Sequence, residues 1–236
     1  MEYKIAILAC DALRKEIDTI TSNEKGIISK EYLEFGLHLN PTDLKKEIIR
    51  KLKMLEGKVD VVFLGYGVCQ ALKDVPKSVD VPVVMIDAED CIAALLTTEK
   101  YHEEKTGKGI TWFYPAGWAD YGRDGLIQLF NLNTVKDDRY TPEYFFKLLF
   151  DGFNRCLFID TGMEGMERCQ NNSEQLACTL DLKHECTHGT LELIEDAWAR
   201  TKAVAQIEAE SLLRQLVKST DDSNSNLMVQ TIDVDR

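Results

Sequence analysis

Three cysteines stand where strand-end chemistry usually happens. Cys10 follows the apolar run Tyr3 to Ala9. Cys69 follows Val59 to Leu64 by way of Gly65-Tyr66-Gly67-Val68, and Cys91 follows Val81 to Ile86 by way of Asp87-Ala88-Glu89-Asp90. Each run reads as a strand, and each cysteine as part of the turn into a helix. A thiol near a helix N-terminus has its pKa lowered by the helix dipole. Thiolates gathered on one edge are what zinc or an iron–sulfur cluster requires. The three are dispersed in sequence, without C-x-x-C spacing, so position carries this reading. The competing reading is three small buried residues that pack tight turns.

A second pattern is a literal H-E-x-x-H, His184-Glu185-Cys186-Thr187-His188. On a helix its histidines share a face and can hold zinc, with the Glu as general base. The context argues against it. β-like Thr179 to Lys183 precedes it, Gly189 follows it, and Leu191 replaces the Gly of the extended motif. Glu208 is a downstream carboxylate that a zincin would use. Gly65-Tyr66-Gly67 lacks the third Gly of a dinucleotide fingerprint, which Gln70 displaces, but a tight turn there can bring backbone N–H groups to a ligand. Asp160-Thr161-Gly162 occurs once, whereas an aspartic protease needs two carboxylates. Asp160 reads instead as a cap or a ligand contact at a strand edge. Trp118, with Trp112, Phe113 and Tyr114, can wall a pocket or fill the core. Cys156 lies in a strand pattern, and the spacings of Cys169, Cys178 and Cys186 match no compact ligand motif.

The elements that position these residues alternate. After the first strand, Asp11 to Ile20 has Leu13, Ile17 and Ile20 on one helix face. Gly26 to Ser29 reads as a short strand. Asn40-Pro41-Thr42-Asp43 opens a helix whose stripe is Leu44, Ile48, Ile49, Leu52 and Leu55, ended by Gly57. A helix follows Cys91. Gly109 to Tyr114 and Arg155 to Ile159 are further strands, with a helix at Thr141 to Phe150 between them. Another helix runs from Gly189 into the 210s. Residues 219–226 read as a flexible polar stretch and 227–234 as a last strand. Alternating strands and helices predict one α/β domain over 1–236, a mostly parallel open sheet with helices on both faces. Ligands of such sheets bind outside the carboxyl ends of the strands.

The 236 residues include 40 acidic and 28 basic side chains, a formal charge of −12. That balance disfavours nucleic acid and anionic lipid. The densest basic cluster, from Lys45 to Lys53, lies on a solvated helix face. No apolar run approaches the ~20 residues of a membrane span. The N-terminus reads as the first strand of a cytoplasmic protein rather than a signal peptide. Seven cysteines, an odd count, argue against a complete disulfide framework.

Six segments in order, LACDAL (Leu8 to Leu13), LEFGLH (Leu33 to His38), LGYGVC (Leu64 to Cys69), DCIAALL (Asp90 to Leu96), FYPAGW (Phe113 to Trp118) and FIDTG (Phe158 to Gly162), carry a resemblance. The chain resembles the prokaryotic domain-of-unknown-function family number 1638. The resemblance implies an α/β protein with a Cys₃ or Cys₃His set, Cys10, Cys69 and Cys91 with His38 as the fourth member, holding zinc or an iron–sulfur cluster. It also implies a setting in anaerobic one-carbon metabolism, beside a corrinoid protein or methyltransferase. Glu89 stands where family members often carry a His, and the usual Pro-Gly ending is absent. Glu34, Glu89 and Asp90 are then the candidates for acid–base work. Gly65, Tyr66, Gly67, Trp118 and Asp160 are candidates for binding a small-molecule ligand or cofactor. The alternative is a non-enzymatic carrier of metal or cofactor. A homo-oligomer is compatible with either.

Overall fold

In the computed structural model, which describes residues 3–34, 37, 40–134 and 139–232, the apolar runs become parallel strands. β1 (Ile5–Cys10) and β3 (Val61–Gly67) are buried at every position. Strands buried on both faces are the ones that parallel sheets use. β1 pairs with β2 (Ile27–Leu33) on one side and β3 on the other, and β3 pairs with β4 (Val83–Ile86), giving the order β2-β1-β3-β4, all parallel. The crossovers carry α1 (Arg14–Ile20), entered through a short 3₁₀ turn at Asp11–Leu13, and α2 (Pro41–Leu55). Asn40 caps α2 by accepting the N–H groups of Thr42 and Asp43. Leu44, Ile48 and Leu52 form its buried stripe.

The second half builds another sheet. α3 (Ala93–Leu96) and α4 (Thr98–Lys105) lead to β5 (Thr111–Pro115). The short α5 (Ala116–Ala119), α6 (Gly122–Leu129) and α7 (Pro142–Leu149) follow. β6 (Arg155–Asp160), α8 (Met166–Leu180) and β7 (Lys183–His188) complete the parallel order β5-β6-β7. α9 (Glu192–Ile232) returns against β3 and β4, with the edge of Phe63 on Trp198. The architecture is therefore α/β and parallel, with helices around two sheets where one was expected.

Several expectations are corrected. β3 runs on through Gly65, Tyr66 and Gly67, which lie in the strand and not in a turn after it. β2 is longer than Gly26 to Ser29. The helix after Cys91 is broken at Thr97, which takes φ +60° and caps α4. Thr179 and Leu180 end α8, and the strand lies later, over the H-E-x-x-H residues. Residues 219–232 continue α9, so helix stands over 227–232 where a last strand was expected, and 233–234 lie outside the described residues. No helix of the described residues is long and apolar enough to cross a membrane.

The sheets meet at their carboxyl ends. A Cβ on Gly117 would lie 2.5 Å from the Asp11 carbonyl oxygen and 2.6 Å from that of Ala12, so α5 rests directly on the turn after β1. The Thr190 N–H donates to the Leu95 carbonyl at 2.8 Å, and Lys15 pairs with Asp120 at 2.7 Å. Buried apolar residues of both sheets form one cluster. At the opposite end of β6, buried Arg155 donates to Glu104 at 2.8 Å, to Glu185 at 2.5 Å and to Thr111 at 2.8 Å. Arg155 is 3% exposed and Glu104 5%, so neither charge has water to fall back on. Glu104 also holds Lys108 at 2.9 Å and Lys100 at 3.2 Å, and Glu185 holds Lys183 at 2.6 Å, so both carboxylates keep a partner when Arg155 is removed. Arg155→Ala is expected to lower stability by about 1–3 kcal/mol in urea titration, the cost of its charged hydrogen bonds; a loss below ~0.5 kcal/mol would mean that the lysines replace it fully.

Glu16 of α1 also faces this seam. It is fully buried, and its Oε1 accepts the Thr161 hydroxyl at 3.1 Å, while Oε2 has no hydrogen-bond partner. Burial pushes the carboxyl up to about 7. The folded chain thus keeps a proton that the unfolded chain loses earlier. This contribution is fully present below the unfolded pKa and is lost as pH rises through about 7. The total is about 3 kcal/mol. Glu16→Gln is expected to remove that part of the slope when wild type and variant are unfolded in urea between about pH 4 and about pH 8. Parallel curves would show that Glu16 is ionised throughout.

Candidate functional site

The order β2-β1-β3-β4 places a topological switch between β1 and β3, the crevice where open α/β sheets take their ligands. Cys10 ends β1 and Cys69 stands just past β3, so both flank that crevice. Cys91 comes from β4, one strand further out. It reaches the same point because the turn after β4 folds back across the end of β3. Gly67 makes this possible. A Cβ there would lie 2.5–2.6 Å from the backbone atoms of Asp90. The Val68 N–H donates to the Ala88 carbonyl at 2.7 Å and fixes the two turns together. Gly65 serves the layer beneath, since its Cβ would meet Ala9 at 2.5 Å and Ile17 at 2.7 Å. The G-x-G is thus a packing device for a helix and a turn, and not a phosphate loop.

The result is a thiol pair. The Cys10 and Cys91 side chains hydrogen-bond to each other. Cys10 is wholly buried and Cys91 nearly so, whereas Cys69 is half-buried. Burial, then the Cys91 thiol, hold the Cys10 pKa well above its ordinary value. This is the opposite of the dipole-lowered thiolate that the sequence suggested. Desolvation outweighs what a one-turn 3₁₀ helix can supply. The buried Tyr66 hydroxyl is raised by desolvation and then by Cys10, Cys91, Asp11 and Cys69, so all three cysteines lie within electrostatic reach of one phenol. Among the described residues, no group of three or more His, Cys, Asp or Glu side chains is spaced as a preformed metal site. His38 lies outside the described residues.

Carboxylates beside the thiols are tied down. Asp11, 1% exposed, accepts from Arg14 Nε at 2.6 Å and from the Tyr121 hydroxyl. Asp90 Oδ1 accepts the N–H groups of Ile92 and Ala93 at 2.9 and 2.8 Å, and Oδ2 accepts the Tyr101 hydroxyl. Asp90 therefore holds the Cys91 turn, and both of its oxygens are engaged. Glu34 follows β2, is exposed, and acts electrostatically on Tyr121. Glu89 points to solvent, where it pairs with His102 at 2.5 Å. Trp118 rides on α5 over the Asp11 turn and stacks on Trp112 at 5.8 Å. Asp160 stands at the end of β6, where its Oδ1 accepts the Gly162 N–H at 2.8 Å.

The H-E-x-x-H residues form β7. At about 3.3 Å per residue its two histidines stand about 13 Å apart, too far to share one ion. Glu185 points to the other face and pairs with Arg155 and Lys183. His184 Nε2 meets the Ser173 hydroxyl at 2.9 Å, and desolvation lowers its pKa. Glu208 lines a separate cleft with Lys4, Val59 and Pro82 at the other edge of the first sheet. Tyr101, Tyr121, Gly117 and Glu16 are the residues of this edge that sequence reasoning missed. Glu16 was within reach, since it falls between Leu13 and Ile20 on the buried helix face.

A family model described as a protein of unknown function, DUF1638, matches residues 32–198. The chain belongs to the DUF1638 family. The DUF1638 match takes in Cys69 and Cys91 and begins after Cys10. No curated protein matches the chain. Among solved structures it is similar to ornithine carbamoyltransferase from Pyrococcus furiosus, with 15% identity and a TM-score of 0.23. That match covers 79% of this chain and 55% of the carbamoyltransferase, so the chain spans about half of that enzyme's length.

Gly67→Ala tests the geometry. Its Cβ would lie 2.5–2.6 Å from the Asp90 backbone, so the Asp90 turn must move. A loss of about 1–3 kcal/mol in urea titration is expected, as for other overpacked sites. Faster alkylation of Cys91 should accompany it. Unchanged stability together with unchanged Cys91 reactivity would show that the turn does not depend on this contact.

Proposed function

We propose that the protein binds a thiophilic metal centre, zinc or an iron–sulfur cluster, through Cys10, Cys69 and Cys91. The observation that carries this reading is the meeting of Cys10 and Cys91 across the end of β3, with Cys69 on the adjoining turn and Tyr66 within reach of all three. Three soft sulfur donors suit zinc or an iron–sulfur cluster and do not suit magnesium or calcium. The donor set fits such a group, with Cys69 turning inward from its half-exposed position. His38 remains the candidate fourth donor. Asp11 and Asp90 act as positioning residues, through the turns that carry Cys10 and Cys91. Glu34 is the candidate acid–base group. A bound centre of this kind supplies Lewis-acid activation of a thiol or water if zinc, and ligation or electron transfer if a cluster. The family resemblance is the support for a setting in cytoplasmic one-carbon metabolism of anaerobes, with a corrinoid protein or methyltransferase as the partner we propose.

A specific observation favours the carrier form of this reading. Cys69 is half-exposed just past the end of β3, so a metal held there is open to a partner, which suits storage or delivery.

The decisive measurement is metal and acid-labile sulfide on protein purified without oxygen, alongside the triple variant Cys10→Ala, Cys69→Ala, Cys91→Ala. Stoichiometric zinc, or iron with sulfide, is expected in the wild type and absent from the variant. Binding should weaken as pH falls, because the thiols must lose protons to bind. Metal-free wild type, or metal retained by the variant, would overturn the proposal.

A further inference from the structure

Two thiols already in contact have a chemistry that needs no metal. The other buried cysteines face oxygen: Cys156 meets the Ser173 hydroxyl at 3.6 Å, and Cys169 meets the Ala116 carbonyl at 3.7 Å and Asp120 at 3.5 Å. Cys178 and Cys186 are exposed. Cys10 and Cys91 instead face each other, from turns locked by the Gly67–Asp90 contact and by Asp90's hydrogen bonds to Ile92, Ala93 and Tyr101. Two side chains that hydrogen-bond through their sulfur atoms stand side by side, the first requirement for a disulfide. Each turn is held from outside the pair, so the two thiols stay neighbours.

We infer that Cys10 and Cys91 form a reversible disulfide, which removes two of the three thiols of the sheet edge. The inference rests on the same pair as the metal proposal but not on a metal being bound. The oxidant is a small-molecule disulfide. Cys91, 8% exposed against 0% for Cys10, meets it first. The Cys91 thiolate attacks one sulfur of the small disulfide, and a mixed disulfide forms as one small thiolate leaves. The Cys10 thiolate then attacks the Cys91 sulfur, and the second small thiolate leaves. The two protons lost by Cys10 and Cys91 end on the two released thiols. Two electrons pass from the protein to the oxidant, and excess small thiol reverses both steps.

The test uses the full chain, reduced and stripped of metal, exposed to oxidised glutathione, acid-quenched, and mapped by mass spectrometry of its peptides. Exposed Cys178 and Cys186 can exchange with glutathione by themselves, so the thiols are counted site by site, and both Cys10 and Cys91 are expected to be lost to alkylation after unfolding. The peptides holding Cys10 and Cys91 should be joined, and dithiothreitol should separate them. The same link is expected in Cys69→Ser, which leaves the pair intact. A link through Cys69, or glutathione on Cys178 and Cys186 with Cys10 and Cys91 still free, would overturn the inference. Zinc uptake before and after oxidation separates it from the metal proposal. A disulfide in a protein that takes up no zinc when reduced, and holds no iron or sulfide when purified without oxygen, leaves this inference standing and removes the other. Zinc uptake without the disulfide does the reverse.

Discussion

The end of β3 is where two stretches of backbone touch with no side chain between them. Gly67 supplies the missing Cβ, and the Asp90 backbone fills its place. Without that contact, β4 would leave its turn beside the sheet, one strand away from β1. With it, the turn lies across β3 and carries Cys91 to Cys10. The neighbouring arrangements follow from the same demand for close approach. Gly65 admits Ile17 of α1, and Gly117 admits α5 to the carbonyls after β1. Three glycines thus set three packing distances at one sheet edge, where a methyl group on any of them would meet atoms closer than 3 Å.

Electrostatics at this edge is arranged by hydrogen bonds more than by opposing charge. The chain is strongly acidic, yet the carboxylates next to the thiols are shared out to tyrosines and backbone amides. Arg14 is the cation in contact with Asp11. Desolvation keeps Cys10 protonated, and the Cys91 thiol and the Asp11 charge add to it. The cationic cluster stands at the opposite end of the second sheet, where Arg155 holds Glu104 and Glu185. One end of the fold is therefore fastened by a buried guanidinium between carboxylates, and the other by close backbone packing with the Lys15–Asp120 pair beside it.

The alternation of strand and helix was legible because it is written in period and punctuation. Asn40-Pro41 and the stripe from Leu44 to Leu52 predict α2 almost to its ends, and the apolar runs predict six of the strands in place. What period cannot encode is which strands share a sheet, so two sheets were read as one. Gly65 and Gly67 resembled a loop because glycine marks both turns and close packing. The H-E-x-x-H was misleading because i and i+4 share a face in helix and strand alike, and only rise per residue separates them. Three thiols on one edge could be inferred from strand ends. Their protonation could not, because it depends on burial by α5 and by the turn across β3, which are distant in sequence. Tyr101 and Tyr121 escaped notice for the same reason, since Tyr121 and Asp11 are 110 positions apart.

The order of the chain has a consequence of its own. Cys10, Cys69 and Cys91 all lie in the segment that builds the first sheet, whereas α5 and α9, which close over that sheet, are encoded later. A chain that emerges from the ribosome N-terminus first gathers its sulfur atoms before it owns their cover. During that interval the edge is open to solvent and to whatever is dissolved in it. Translation itself then provides an interval of exposure that ends when Gly117 settles onto the turn after β1.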